Sequence, residues 1–392
     1  MSDFDAVVVG AGPAGSTAAR ELALGGARVC FVDKAQFPRS KTCGGALSPR
    51  VLRRLPTGVD RLLRARIQRA VVTFRSGRPV EVTSDLPMGY MVHRKEFDLW
   101  LRNLAEEAGA SIREGVAVRR IERIGSHFLI HAGRERIRAA AVIGADGANS
   151  VVRAQMFPHV SHAKFIGRVV EVPWNTESRR DTVVVDVGRY PGGYAWAFPK
   201  GDRLNVGVMM EFARAGESSG ALEAFIRGLP GIAAGASASA RIAPIAAPCG
   251  EPVACADGGV ILVGDAARLA DPFLGEGIYY AIRSGSLAAG ALLAGSDGVD
   301  AAVRYEAAIA EAIWPELRAA SRIASLFHRA PRWWHRVLSR MPGSLMEYVA
   351  VLAGEESYGG LLRDVRDRLG AVAGGWLLPR LGFSRDGAIL NN

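Results

Sequence analysis

The sequence predicts a mixed α/β fold, α+β overall, in which a parallel-sheet domain is interleaved along the chain with an antiparallel sheet and followed by a helical C-terminal region. Three observations predict it. Asp5-Ala6-Val7-Val8-Val9 is a short buried-strand pattern that leads directly into Gly10-Ala11-Gly12-Pro13-Ala14-Gly15. The same buried-strand pattern returns at 141–144 and at Val260-Ile261-Leu262-Val263. Between those returns, from about 167 to 212, apolar and polar residues alternate as in an antiparallel sheet.

The first glycines open an alanine-rich helix to about Leu24, which Gly25-Gly26 ends, and 28–32 forms a second strand closing on Asp33. This is a complete βαβ unit of Rossmann type. Gly10, Gly12 and Gly15 have the spacing that gives a tight turn, close backbone approach to a pyrophosphate and close helix–strand packing. The helix N-terminus offers unpaired N–H groups to phosphates, and Asp33 stands where a carboxylate accepts ribose hydroxyls. A dinucleotide site follows, without a choice between nicotinamide and flavin.

Residues 50–69 read as a basic helix, 71–82 as paired strands around Ser76-Gly77, and 94–109 as an amphipathic helix. Strands fit 116–121 and 128–130, and 141–144 runs into Ala145-Asp146-Gly147. A long Ala/Gly-rich helix covers 277–293, and the remainder is largely helical. The expected division is a discontinuous nucleotide-binding domain (1–65, 94–155 and 255–300), a substrate sheet (66–93 and 156–254) and a C-terminal helical region (301–392).

With 392 residues, 49% hydrophobic and 22% charged, the chain is globular and long enough for several domains. Its net charge of +10 comes almost wholly from arginine, since Lys34, Lys41, Lys95, Lys164 and Lys200 are the only lysines. No nucleic-acid-binding motif accompanies that charge, so nucleic acid is set aside and contact with acidic lipid headgroups is the expectation. The chain enters a strand at Asp5 without a basic, apolar leader, and Arg283 interrupts the best apolar stretch. Cys30, Cys43, Cys249 and Cys255 lack the spacing of a metal site or a disulfide framework. The expectation is a cytoplasmic protein, peripheral at most to a membrane, with no metal.

In Tyr194-Ala195-Trp196-Ala197-Phe198-Pro199-Lys200 the aromatics are spaced by two, so they project from one strand face while the alanines leave the other flat. Alone, such a row reads as sheet core. Gly201-Asp202 then turns the chain into 204–208.

Gly264-Asp265-Ala266-Ala267, Asp271-Pro272 and Gly275-Glu276-Gly277-Ile278, together with Gly144-Ala145-Asp146-Gly147, resemble the flavoprotein monooxygenase-like superfamily typified by p-hydroxybenzoate hydroxylase. The resemblance implies FAD. It places Asp265 at the ribityl or phosphate region, the backbone of Gly277 and Ile278 near the isoalloxazine, Arg94 near the pyrophosphate and Val118 at the adenosine. Asp146 is assigned flavin-side support, and Arg153 a role in fixing conformation. The candidate cofactor residues are therefore Gly10, Gly12, Ala14, Gly15, Asp33, Lys34, Cys43, Gly44, Gly45, Leu47, Arg94, Val118, Asp146, Gly264, Asp265, Gly275, Gly277 and Ile278. No second glycine fingerprint follows a separate strand, so electrons are expected from transiently bound NAD(P)H or from a small ferredoxin-like redox protein.

The loop Lys41-Thr42-Cys43-Gly44-Gly45-Ala46-Leu47-Ser48, the run from Pro191-Gly192-Gly193-Tyr194 to Lys200, Asn205-Val206-Gly207, and 264–285 resemble the geranylgeranyl reductase family. The resemblance covers roughly residues 4–290. It implies saturation of carbon–carbon double bonds in a prenyl chain, with hydride from flavin matched by delivery of a proton. The chain belongs to geranylgeranyl diphosphate, a chlorophyll-type prenyl ester, a menaquinone tail or an archaeal-type ether lipid. Trp196 and Tyr194 are expected to wall the pocket and Phe198 to continue an apolar tunnel. Tyr194, Cys43 or an ordered water supplies the proton, and Lys41 favours a Cys43 thiolate. Lys200 is either a solvated strand end or a cation beside flavin or a lipid phosphate. An aromatic hydroxylase or halogenase is the alternative on this fold, although Tyr-x-Trp-x-Phe-Pro-Lys departs from the halogenase Trp-x-Trp-x-Ile-Pro. A non-catalytic electron-transfer flavoprotein is the third reading. Trp314 and Trp333-Trp334, flanked by Arg322, Arg329, Arg332 and Arg336, fit either helix packing or a lipid surface.

Overall fold

The computed structural model describes residues 3–159, 163–174, 179–190, 192–232, 239–247, 254–295, 297–341 and 343–373. Pro191, Cys249 and the end of the expected C-terminal region lie outside the described residues.

The strand Phe4–Val9, apolar apart from Asp5, is central to the first sheet, flanked in parallel by Val29–Asp33 on one side and Glu135–Gly144 on the other. Ser111–Glu114 extends the sheet beyond Val29–Asp33, and Val260–Leu262 extends it beyond Glu135–Gly144. Phe4–Val9, Val29–Asp33, Val260–Leu262 and the end of Glu135–Gly144 are largely buried on both faces, which is why they read as apolar runs, whereas Ser111–Glu114 is a polar, half-buried edge. Antiparallel additions, Val118–Ile124 with His127–Ala132 and the short Ala256–Asp257, complete it. Helices Pro13–Leu24, Arg94–Glu107 and Ile278–Ala294 cover this sheet. The first and last of these cross closely because Gly285 has no side chain: a Cβ there would stand 2.4 Å from the Ala14 carbonyl oxygen.

The second sheet contains Arg241–Ala247, Ala163–Pro173, Arg203–Glu211, Tyr194–Lys200, Thr182–Val187, Arg69–Phe74 and Val80–Thr83, in that spatial order. It is not wholly antiparallel. Thr182–Val187 and Arg69–Phe74 pair in parallel, because the latter arrives from the first domain rather than through a hairpin.

The basic helix expected over 50–69 does not form. Pro56 and Gly58 interrupt it, leaving a helix at Pro49–Leu52, a short 3-10 turn and the strand Leu63–Ile67. Leu63–Ile67 alternates side-chain exposure and joins Ala46–Leu47 and Gly89–Val92 in a third, small sheet between the larger two.

Among the described residues, five helices run between Gly298 and Ala373. Trp314 is 2% exposed and packs in the core of the nucleotide-binding domain, so of the two readings it takes helix packing and not a lipid surface. Trp333 and Trp334, by contrast, lie on Pro331–Arg340, a helix with no fully buried residue. Among the described residues, no helix is long and apolar enough to cross a membrane, and no cluster of His, Cys, Asp and Glu could hold a metal.

Candidate active site

One continuous cavity of about 1080 Å³ joins the glycine loop of the first sheet to the aromatic strand of the second. At its nucleotide end the chain is shaped around absent side chains. Gly10 has φ +104°, and a Cβ there would stand 2.4 Å from the Ala145 carbonyl oxygen, so only glycine allows the turn against Ala145-Asp146. The helix Pro13–Leu24 points its N-terminus here without any side-chain cap, leaving its N–H groups for a phosphate. Asp33 accepts hydrogen bonds from Ala11 N and Ala35 N at 2.8 Å each, fixing the loop with a carboxylate that still lines the cavity.

Most sequence-predicted cofactor residues converge on this space: Gly10, Gly12, Ala14, Lys34, Gly44, Gly45, Leu47, Val118, Asp265, Gly275, Gly277 and Ile278 line it. Gly15 and Gly264 do not. Gly15 packs on the Gly10 carbonyl oxygen, and Gly264 lies against Ala14 and Ala281 with its N–H given to Ser284 Oγ. Asp146 lines the cavity, but its carboxylate accepts from Ser150 Oγ and Val151 N and so caps the helix Val151–Met156. Burial raises its pKa against those hydrogen bonds. Arg153 fixes the far side by donating to the carbonyls of Ala148, Asp265 and Ala266.

Arg94 is almost wholly committed. Its Nε and Nη2 meet the Asp98 carboxylate at 2.7 and 2.8 Å, and Arg39 adds a second cation to Asp98 at 3.0 Å. Burial opposes the charge of Arg94, yet Asp98 and then the Cys43 thiol more than offset it, so its pKa lies above the ordinary arginine value. The Arg39–Asp98–Arg94 grouping was not legible beforehand, although the i,i+4 spacing of Arg94 and Asp98 on a helix was its signal.

At the other end, Tyr194, Trp196 and Phe198 line the cavity as the alternation predicts, with ring centroids 5.8 and 6.0 Å apart. Tyr194 donates its hydroxyl to the Leu274 carbonyl, joining the substrate sheet to the loop 271–277, and burial raises its pKa. Trp196 donates Nε1–H to Asn205 Oδ1 at 2.9 Å. Gly44 passes over this wall: a Cβ there would meet Phe198 at 3.1 Å and Trp196 Nε1 at 3.5 Å.

Lys200 takes neither expected position. It is 1% exposed and absent from the cavity wall, with Nζ 2.8 Å from Glu171 Oε1 and close beneath Gly45. Its long apolar stem is buried in sheet and loop while its charge finds a carboxylate. Asn205 completes the arrangement, donating Nδ2 to Glu171 Oε1 at 3.1 Å and to the Cys43 carbonyl at 3.2 Å. Cys43 itself is half-buried on the cavity wall, where Sγ accepts from Gly45 N at 3.4 Å.

The roof was the least expected part. Trp333, Trp334, Val337 and Leu338 of Pro331–Arg340, and Leu345, Tyr348 and Val349 of Gly343–Ala353, close the cavity over the second sheet. Leu345, Met346 and Val349 also pack with Phe198, Ile67, Met88 and Met91.

Comparison with known proteins agrees with this geometry. Residues 3–190 match the FAD binding domain family. The chain is 36% identical over 303 residues to the geranylgeranyl diphosphate reductase of Rhodobacter capsulatus, covering 74% of this chain and 75% of that one. The chain belongs to the geranylgeranyl reductase family. Within it, the digeranylgeranylglycerophospholipid reductase 1 of Methanopyrus kandleri is 34% identical over 306 residues, covering 73% of this chain and 79% of that one. A geranylgeranyl bacteriochlorophyll reductase-like protein of Thermoplasma acidophilum has the same fold, with a TM-score of 0.71 and 24% identity over 93% of this chain and 98% of that one. As a geranylgeranyl reductase family member with this domain, the protein is an FAD-dependent oxidoreductase. The side-chain-free cradle at Gly10 and the open helix N-terminus fit that cofactor.

Proposed function

We propose that the protein saturates carbon–carbon double bonds of a prenyl chain. The observation that carries this reading is the continuity of the cavity: the nucleotide cradle opens, without a partition, onto a long space walled by aromatics and roofed by apolar helix faces. Such a space suits a substrate that is a flexible hydrocarbon along most of its length. Bound FAD supplies the hydride.

The chain's own residues do the rest. Tyr194, Trp196 and Phe198 present a row of ring faces on which an alkene is positioned, and a ring face stabilises developing positive charge by about 0.5–2 kcal/mol. The hydrogen bond to Asn205 fixes the Trp196 ring, and the Lys200–Glu171 pair supports the Cys43–Gly45 loop from beneath. Cofactor contacts are assigned to the residues that line the cradle, with Gly15 and Gly264 setting the packing that shapes it.

Electrons enter from NAD(P)H bound transiently or from a ferredoxin-like protein. The helix Pro331–Arg340 is assigned contact with an acidic lipid surface. Arg332 and Arg336 are exposed on it, as are Arg322 and Arg329 on the preceding helix, while its tryptophans face the cavity. A prenyl lipid would then enter from the bilayer under this helix.

The deciding experiment is mass spectrometry after anaerobic incubation of dithionite-reduced holoprotein with geranylgeranyl diphosphate, a prenylated quinone and an unsaturated ether lipid. A product heavier by two hydrogens per bond, with reoxidised flavin, supports the reading. Strict dependence on oxygen and a product that gains oxygen would replace it with hydroxylation.

A further inference from the structure

Saturating a double bond takes a proton as well as a hydride, and the aromatic strand is a poor source of it. The hydroxyl hydrogen of Tyr194 is already given to the Leu274 carbonyl. A separate chain of hydroxyls reaches the cavity from the roof. Asp271, 1% exposed, accepts from Tyr358 Oη at 2.5 Å on one carboxylate oxygen and from Phe273 N at 2.7 Å on the other. Tyr358, fully buried, stands 3.3 Å from the hydroxyl of Tyr348, and either can be the donor. Tyr348 lines the cavity, edge-on to Phe273 at 5.4 Å between ring centroids. Phe273 belongs to the same loop as Gly275 and Gly277, so the hydroxyl chain ends beside the cofactor end of the substrate space.

We propose that Asp271, Tyr358 and Tyr348 form the proton relay of the reaction, with Tyr348 giving the proton to the alkene, an assignment that rests on the prenyl-reduction reading above. When Asp271 is protonated, its O–H donates to Tyr358, Tyr358 donates to Tyr348, and the Tyr348 O–H is left to point at the substrate. The hydride brings two electrons to one alkene carbon as the π bond breaks. The other carbon bonds the Tyr348 proton, Tyr348 takes the proton of Tyr358, and Tyr358 takes that of the Asp271 carboxyl. Alkene, hydride and proton become alkane, and Asp271 becomes a carboxylate that one solvent proton restores in each cycle. Burial raises the pKa of both tyrosines well above the ordinary value, so neither is left as a phenolate and the charge comes to rest on Asp271.

The geometry has a pH signature. Burial raises the Asp271 carboxyl to about 6, against the lowering effects of Tyr358, the Phe273 N–H and Arg50. Glu276 raises it further, and the phenols of Tyr194, Tyr280 and Tyr348 face it while neutral. The relay is therefore loaded below about pH 6 and empties as pH rises, so the rate of alkene reduction falls with pH above that point.

The test is stopped-flow reoxidation of the dithionite-reduced holoprotein by geranylgeranyl diphosphate, across pH and in D2O, for wild type, Tyr348→Phe, Tyr358→Phe and Asp271→Asn. The expected result is a loss of about 100-fold or more in Tyr348→Phe with FAD content retained, the scale of a general acid. Asp271→Asn is expected to be slowed and to lose the pH dependence near pH 6. Infrared titration of the resting protein gives a readout without turnover: a protonated carboxyl that ionises near pH 6 and is missing in Asp271→Asn. Tyr348→Phe at the wild-type rate and pH profile, or an Asp271 carboxyl ionised well below pH 6, overturns the relay. Wild-type protein that reduces no prenyl substrate overturns the underlying reading instead.

Discussion

The indole of Trp196 occupies the space that any side chain at residue 207 would need: a Cβ on Gly207 would stand 2.2 Å from Trp196 Cζ2. Asn205, two residues earlier on the same strand, receives the indole N–H at 2.9 Å. One strand thus supplies both the hollow for the ring and the hydrogen bond that orients it. Gly207→Ala is expected to tilt the ring off the sheet. Overpacking of this kind costs about 1–3 kcal/mol. Denaturant unfolding measures that loss, and flavin absorbance is expected to stay at the wild-type level because the cradle lies in the other sheet.

Trp196→Ala is expected to slow prenyl reduction while FAD is retained. Flavin content after gel filtration, set beside product mass, checks it; loss of FAD would make the strand a structural support instead.

Gly10→Ala affects the opposite end of the cavity. The new methyl would meet the Ala145 carbonyl oxygen at 2.4 Å in a backbone conformation with φ +104°, so the loop must leave its path. The expected outcome is protein purified without flavin, read from the absorbance spectrum.

Glu171 gives an acid-sensitive contact. Burial raises its carboxyl, but Lys200 and Asn205, with His93, hold it below the ordinary glutamate value, and Arg203 lies 3.9 Å away. A depressed carboxyl stabilises the fold above its unfolded-state pKa, and that contribution is lost as pH falls through the folded value. Glu171→Gln leaves the Lys200 ammonium buried without its carboxylate, and because Glu171 is 34% exposed the cost is expected to fall below the roughly 3–5 kcal/mol of a fully buried pair. Thermal unfolding is expected to show a loss at neutral pH that narrows as the wild type is acidified.

Charge reversal of Arg332 and Arg336 is expected to weaken cosedimentation with anionic vesicles and to leave reduction of a detergent-dispersed substrate in place. Equal binding of wild type and variant to those vesicles would remove the helix Pro331–Arg340 from the lipid contact.

Much of this was legible in local pattern. The glycine loop, the acidic strand end and the late Gly-Asp segment are short-range signals, and they assembled at one end of the cavity because a parallel sheet aligns its strand ends. The period-two aromatics gave the wall. Lys200 was misread because strand-end lysines are commonly solvated, and nothing near it in sequence announces Glu171, a partner from the adjacent-but-one strand. Asn205 and Gly207 were visible as a motif, but their roles depend on a ring that reaches them only across the strand pair. Asp271, Tyr348 and Tyr358 meet across 87 positions of chain, and the helices of the two tyrosines carry no pattern that tells a core tyrosine from a hydrogen-bonded one.

The unpartitioned cavity has a consequence for how many bonds one binding event can treat. The cradle fixes the reaction centre, whereas the double bonds of a polyprenyl tail recur at every repeat, so a second reduction requires the tail to slide by one whole repeat. The room beyond Phe198, under the helical roof, is where the finished portion would be stored. Its depth would then act as a ruler, and Leu345, which lines the cavity, would limit how far the tail can advance.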